Sequence, residues 1–229
     1  MDEKARSLKT TDLFQDLSEE ELAALERRIP TITVPAGQLI YSPEERAAAL
    51  FILKTGRVRL YRISPEGKSL TLAIVEPGAV FGELALLGEG MHDSFAEALE
   101  DSTIWTLSAR DVQEVLLANP RIARRLLGLI GQRLTATERK LEDLAFKRVP
   151  ARLATLLLEL GRASAGREGN PVTLRYRYTH QQLAEMIGSY RETVTKVLNE
   201  FRDEGLIRVE RGYIQLVDLA GLRRKATRS

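Results

Sequence analysis

Between Ile32 and Leu107 the apolar residues fall in short runs separated by turns. The runs are Ile32–Val34, Leu39–Tyr41, Leu50–Leu53, Val58–Ile63, Leu70–Val75, Ser94–Ala98 and Ile104–Leu107. The breaks lie at Pro35-Ala36-Gly37, Lys54-Thr55-Gly56, Pro65-Glu66-Gly67, Glu76-Pro77-Gly78 and Glu100-Asp101. Many short strands at regular spacing predict a β-sandwich or barrel. Ahead of them Ser18 and Glu21 have the spacing of a capping box, and Leu22, Leu25 and Ile29 follow at helical intervals, predicting a helix.

After residue 118 the period changes. Asn119-Pro120 supplies a cap and a first-turn proline. Leu127, Ile130, Leu134, Thr137, Leu141 and Leu144 then recur at intervals of 3, 4, 3, 4 and 3. A helix of about 28 residues, roughly 42 Å long, carries this heptad seam. A strict 3.5-residue period predicts a parallel two-helix dimer, with polar Thr137 fixing its register. The alternative is a core helix packed on its own domain. Pro150 marks a hinge.

The remainder predicts a third part. A helix from Arg152 to Leu160 is followed by the loose stretch from Ser164 to Pro171 and a strand over Val172–Tyr176. Thr179 is placed to cap a short helix whose Leu183, Ala184 and Ile187 point inward, and small Ala184 allows a close crossing. Gly188 permits the left-handed turn that other residues resist. A second helix buries Val194, Val197, Leu198 and Phe201 and presents Arg191, Glu192, Thr195 and Lys196 outward. This is the helix-turn-helix arrangement. Its outer face suits a major groove: Arg donates twice to guanine, Glu accepts from cytosine N4, and Lys reaches guanine or phosphate. Ile207–Val209, the turn at Arg211-Gly212 and Tyr213–Val217 predict a β-wing, and the tail adds Arg223, Arg224, Lys225 and Arg228. The alternative is a plain helical hairpin with solvated surface charges.

Charge sharpens this division. Of the 229 residues, 1–146 carry 18 Lys/Arg against 23 Asp/Glu, and 147–229 carry 16 against 9. Those sums, −5 and +7, give the net +2 of the chain. A basic last third beside an acidic remainder points to a polyanion met by the last third alone, unless the charges are merely clustered by chance. The chain has no cysteine, which removes disulfides, thiolate metal sites, iron–sulfur clusters and cysteine nucleophiles. With only His92 and His180, neither haem nor a metal site is expected. Met1-Asp2-Glu3-Lys4 has no apolar stretch behind it, and Leu156-Leu157-Leu158 is too short to span a bilayer. A soluble, cytoplasmic protein with no membrane partner is expected.

This order of parts resembles the family of the cyclic-AMP receptor protein and the fumarate–nitrate regulator, over nearly the whole chain. Gly37, Gly56 and Gly78 sit at the family's β-roll turns, and Arg191-Glu192-Thr193-Val194 matches its recognition-helix motif. The resemblance implies an α+β fold: a cyclic-nucleotide-binding-like β-roll over residues 1–118, a dimerisation helix over 119–147 and a winged helix-turn-helix over 148–229. It implies that Arg191 and Glu192 read the G and C of a TGTGA-type half-site. Lys196 stands where the family has a further base-reading arginine. Thr179 and Gln181 match phosphate-contacting positions, and Tyr190 completes the candidate DNA-binding set. Double-stranded DNA, a second copy of the chain and RNA polymerase are the partners implied.

The sensor half departs from the family pattern. Phe81-Gly82-Glu83-Leu84-Ala85-Leu86-Leu87 resembles the start of the cyclic-nucleotide cassette, in which Glu holds the ribose 2′-hydroxyl and backbone N–H groups hold the phosphate. Where the family then has Arg-Ser or Arg-Ala, this chain has Asp93-Ser94. A carboxylate in place of a phosphate-pairing arginine exchanges attraction for repulsion. Between Phe81 and Asp101 there is no Lys or Arg. Arg57, Arg59, Arg133 and Arg139 are the cations that would have to reach in. Thr137 matches the dimer-helix threonine that touches adenine, but Glu138 follows it instead of Ser. The expected effector pocket of Gly82, Glu83, Leu84, Asp93, Ser94 and Thr137 is therefore degenerate, and cyclic AMP is disfavoured.

The resulting expectation is a homodimeric, sequence-specific DNA-binding transcription regulator of a palindromic site, with no obligatory effector and no certain cofactor. A cyclic-AMP-dependent regulator of the same architecture and a ligand-binding module that regulates a partner protein are the alternatives. An enzyme is not expected. The chain has no P-loop, no H-E-x-x-H and no G-x-S-x-G, and Glu83 by itself makes no acid–base pair.

Overall fold

A computed structural model describes residues 11, 13–43, 49–83, 92–164 and 171–227. Leu84, expected in the effector pocket, and Arg228, expected in the basic tail, lie outside them. The elements in chain order are α1 (Glu19–Arg28), β1 (Thr31–Val34), β2 (Leu39–Tyr41), β3 (Ala49–Thr55), β4 (Val58–Ile63), β5 (Ser69–Val75), β6 (Val80–Phe81), β7 (Phe95–Ala98) and β8 (Ser102–Ser108). Then come α2 (Ala109–Ala118), α3 (Pro120–Phe146), α4 (Val149–Ser164), β9 (Val172–Thr173), α5 (His180–Ile187), α6 (Arg191–Asp203), β10 (Ile207–Glu210), β11 (Tyr213–Leu216) and α7 (Leu219–Ala226). The chain forms two compact units, one of residues 1–62 and 72–135, the other of residues 63–71 and 136–229, so the division falls inside α3.

The strands β1 to β8 form two four-stranded sheets with orders β1-β8-β3-β6 and β2-β7-β4-β5. The described pairings are antiparallel. The unbroken apolar run of β3 follows from its burial on both faces. Leu50 and Ile52 pack with Trp105, Leu107, Leu22 and Leu25, whereas Phe51 and Leu53 pack with Tyr41, Val58, Phe81 and Ile104. Ile122 and Leu126, from the first turns of α3, enter the former cluster.

Two elements of the first unit escaped the apolar pattern. The helix α2 is set by a second capping box, in which Ser108 Oγ accepts from Asp111 N and the Asp111 carboxylate accepts from Ser108 N. The strand β6 is two residues long and pairs with Phe51 and Ile52.

In the second unit, α4 starts at Val149, so Pro150 lies in a first helical turn, where its missing N–H is tolerated. The strand expected over Val172–Tyr176 ends at Thr173. Ser164 Oγ accepts the Arg175 N–H at 2.9 Å, which takes that donor away from any sheet ladder. One core cluster contains Leu153, Leu157, Leu183, Val194, Phe201, Ile214 and Leu222, so that helices α4 to α7 and the wing share a single apolar interior. The basic tail expected from sequence is a helix, α7. It is capped by Asp218, whose Oδ1 accepts from Gly221 N at 2.8 Å, and it buries Leu222.

Candidate nucleic-acid interface and effector site

Thr179 caps α5 reciprocally. Its Oγ1 accepts from Gln182 N at 3.1 Å, and Gln182 Oε1 accepts from Thr179 N at 2.9 Å. Leu183, Ala184 and Ile187 are buried. Gly188 ends the helix with φ 61° and ψ 51°, the left-handed conformation that L side chains resist. A Cβ at Gly188 would also lie 3.0 Å from Leu144 Cδ2.

The helix α6 follows, with Val194, Val197, Leu198 and Phe201 facing inward. Arg191, Glu192 and Lys196 are exposed, and no ion pair with a described residue engages Arg191 or Lys196. The outer side chains, with Asn199 and Glu200, line one open depression along the helix. Gln181 Nε2 donates to Glu185 Oε1 at 2.8 Å. Tyr190 is the residue before α6 and is exposed, with the Lys68 ammonium 3.8 Å from its ring centroid; both belong to the second unit.

Thr195 is placed differently from its neighbours. Its hydroxyl donates to the Arg191 carbonyl at 2.9 Å, and His180 Nδ1 lies 2.8 Å from Thr195 Oγ1 itself. Sequence reasoning left His180 out of the interface. The one available signal was its place directly after the cap Thr179.

The wing forms as β10 paired with β11, joined by Arg211 and Gly212, both at positive φ. Two positive-φ residues make the tight turn that matches strand twist. In the tail, Lys225 pairs with Glu204 at 2.7 Å and Arg224 with Asp218 at 3.5 Å. Part of the basic tail is thus spent on holding α7.

Of the expected effector residues, the described Gly82, Glu83, Asp93 and Ser94 belong to the first unit, whereas Thr137 belongs to the second. Gly82 has φ +80°, and a Cβ there would lie 2.8 Å from the Phe51 ring and 2.9 Å from Ala49 O, so only glycine fits. Glu83 is buried, at 6 % exposure. Arg133 of α3 hydrogen-bonds Glu83 Oε1 through Nη1 and donates to Val80 O at 3.0 Å through Nη2. Among the described residues no donor reaches Glu83 Oε2.

Asp93 is paired with Arg62 at 2.7 Å and accepts from the buried Ser94 hydroxyl at 3.2 Å. Burial pushes the Tyr41 hydroxyl well above its ordinary pKa. The hydrogen bond with Ser94 opposes this, and the charges of Glu83 and Asp93 add to it, so both carboxylates lie near one hydroxyl. The Tyr41 ring stacks on His92 with centroids 3.7 Å apart. Of the other cations named from sequence, Arg57 pairs with Glu100 at 2.7 Å and Arg59 lies 4.2 Å from the Tyr61 ring centroid. Each carboxylate of this site has its own guanidinium.

Along α3, Leu127, Leu134 and Leu141 are 70 %, 59 % and 66 % exposed. Thr137 is exposed as well. Ile130 packs partly against the core of the first unit, and Leu144 is half-buried. Among the described residues no group of three or more His, Cys, Asp or Glu has the arrangement of a metal site, and no helix is long and apolar enough to cross a membrane.

Residues 31–119 match the cyclic nucleotide-binding domain family, and residues 151–225 match the Crp-like helix-turn-helix domain family. The chain is 39 % identical over 200 residues to the transcriptional regulator SdrP of Thermus thermophilus, covering 86 % of this chain and 94 % of that protein. It is 32 % identical over 217 residues to the cyclic AMP receptor protein of the same organism, covering 93 % and 95 %. A solved CRP/FNR-family transcriptional regulator, also from Thermus thermophilus, aligns with TM-score 0.69 at 38 % identity, covering 87 % of this chain and 99 % of that one.

Proposed function

Given that the chain belongs to the CRP/FNR family of helix-turn-helix transcription regulators, we propose that it acts in the cytoplasm as a homodimer on a palindromic TGTGA-like site, without an obligatory cyclic nucleotide. The face of α6 carries this reading. Arg191, Glu192 and Lys196 project from a helix whose opposite side is locked into the core by Val194, Val197, Leu198 and Phe201. Arg191 donates to guanine O6 and N7, Glu192 accepts from cytosine N4, and Lys196 reaches a further base or a phosphate. Thr179 and Gln181, at the start of α5, meet the sugar–phosphate backbone, which the first helix of such a motif crosses. Tyr190 lies between the two.

The exposed leucines of α3 support the dimer, since three of them seven residues apart form a stripe that a second copy covers. Two copies related by a two-fold axis place their recognition helices about 34 Å apart, one turn of DNA. RNA polymerase is the further partner proposed.

The sensor site supports independence from cyclic AMP. A cyclic phosphate needs an uncommitted positive charge, and Arg133 and Arg62 are engaged with Glu83 and Asp93. Named relatives include a cyclic AMP receptor protein, so the test titrates a labelled palindromic operator with and without millimolar cyclic AMP. Tight specific binding unchanged by the nucleotide is expected. Tenfold tightening would establish a cyclic-AMP-dependent regulator instead.

A further inference from the structure

We propose that His180 is a DNA-contacting residue whose outward ring nitrogen, Nε2, carries a proton to a backbone phosphate, and that Thr195 positions it to do so. This rests on the DNA-binding reading above. A threonine hydroxyl has one hydrogen. Thr195 spends it on the Arg191 carbonyl at 2.9 Å. Toward His180 Nδ1, 2.8 Å away, Thr195 Oγ1 can therefore only accept. The ring must present Nδ1–H there, and a neutral imidazole has no second N–H. Its Nε2 is then a bare acceptor.

A phosphate oxygen is also only an acceptor, so the neutral ring offers it nothing and the doubly protonated ring offers it a charged donor. His180 is exposed and opens α5, the helix placed against the DNA backbone. Operator binding is thereby linked to uptake of a proton, across the pH range in which histidine changes charge.

The other charged groups on the packed elements are Glu185 on α5, Arg191, Glu192, Lys196, Glu200, Arg202 and Asp203 on α6, and Arg152, Glu159 and Arg162 on α4. Incoming phosphates favour the doubly protonated ring.

The experiment measures operator affinity by fluorescence anisotropy from pH 5.5 to 8.0, at several salt concentrations, for the full chain and two variants. His180→Asn keeps an amide N–H in place of Nδ1 and so retains the Thr195 contact, but has nothing at the Nε2 position. His180→Gln places an uncharged donor near Nε2 and gives up Thr195. Wild-type affinity should rise as pH falls, by at most about tenfold per pH unit for one proton. Its salt dependence at pH 6 should be steeper than that of His180→Asn by about one phosphate contact. His180→Asn should be flat with pH and weaker than wild type at pH 6. His180→Gln should be flat and intermediate.

His92 and His180 are the only histidines, so long-range nitrogen–proton spectra assign the free ring cleanly, with Nδ1–H expected. An Nε2–H tautomer in free protein, a flat wild-type profile with specific binding intact, or an undiminished slope in His180→Asn each overturns the inference alone. Absence of specific operator binding at every pH overturns the DNA-binding reading and this inference together.

Discussion

Arg133 of α3 holds the buried carboxylate of Glu83, fifty residues before it in sequence, and with its second amino group caps the Val80 carbonyl. One guanidinium thus ties the long helix to the turn where the nucleotide cassette begins. Removing it leaves a carboxylate that is buried, with its other oxygen reached by no donor among the described residues. Arg133→Met should cost about 2–4 kcal/mol in urea denaturation, the penalty of a buried charge left unpaired. Adding Glu83→Gln should restore part of that loss, because the uncompensated charge goes too. A single variant as stable as wild type would show that the pair holds nothing.

The seam of α3 gives a second expectation. Leu134→Lys with Leu141→Lys places two cations on the exposed stripe of each helix. Sedimentation should then show monomers, and palindromic operator binding should be lost while the melting temperature of each unit changes little. A stable dimer in that variant would place the contact elsewhere.

Asp16 receives the Arg125 Nε–H at 2.5 Å, and this hydrogen bond holds its carboxyl below the usual carboxylate range. A carboxylate whose folded pKa is depressed contributes stability above its unfolded value of about 4 and loses it as pH falls through the folded value. Asp16→Asn should therefore lower the melting temperature at pH 7. The gap to wild type should close as pH falls below the ordinary carboxylate range and through the depressed folded value. A gap of constant size at all pH values would mean that the carboxylate's charge plays no part.

The C-terminal unit was legible because its signals are local. A cap, a left-handed glycine and apolar residues at helical spacing lie within a short stretch of chain, and Thr179, Gly188 and Val194 take the roles their order predicts. The short strand β9 was overextended because the side chain that takes the Arg175 N–H comes from Ser164, across a loop. The sensor site was the least legible part. Its partners are 31 and 50 residues apart, Arg62 with Asp93 and Arg133 with Glu83. Sequence named Arg133 among four cations able to reach in and did not name Arg62, because strand β4 shows its facing only once paired with β7. The commitment of Thr195 to Arg191 O was likewise invisible, since an outward threonine reads the same whether or not it bonds back to its own helix.

Base reading separates two neighbours on α6. Arg191→Ala should lose about 1–3 kcal/mol of discrimination at one guanine and little at other positions. Thr195→Val, by contrast, should leave base preference unchanged, because the hydroxyl it removes is occupied by Arg191 O. Uniform weakening by Arg191→Ala on every sequence would reduce Arg191 to a phosphate contact.

Asp93 allows the effector reading to be tested without reference to DNA. Asp93 and Glu83 both bear on the Tyr41 hydroxyl, so an anion seated there meets two carboxylates, and the guanidiniums that offset them are already engaged. If repulsion at Asp93 is what excludes a cyclic phosphate, Asp93→Ala both removes that charge and releases Arg62. Calorimetry with cyclic AMP should then detect binding that the wild type lacks. Removing Arg62 as well should abolish the gain, since no released cation remains. Asp93→Arg is the less clean variant, because it sets one guanidinium against another where an ion pair stood. Binding by wild type as strong as by Asp93→Ala would show that the Arg62–Asp93 pair does not guard the site. A gain that survives loss of Arg62 would locate the needed positive charge on another residue.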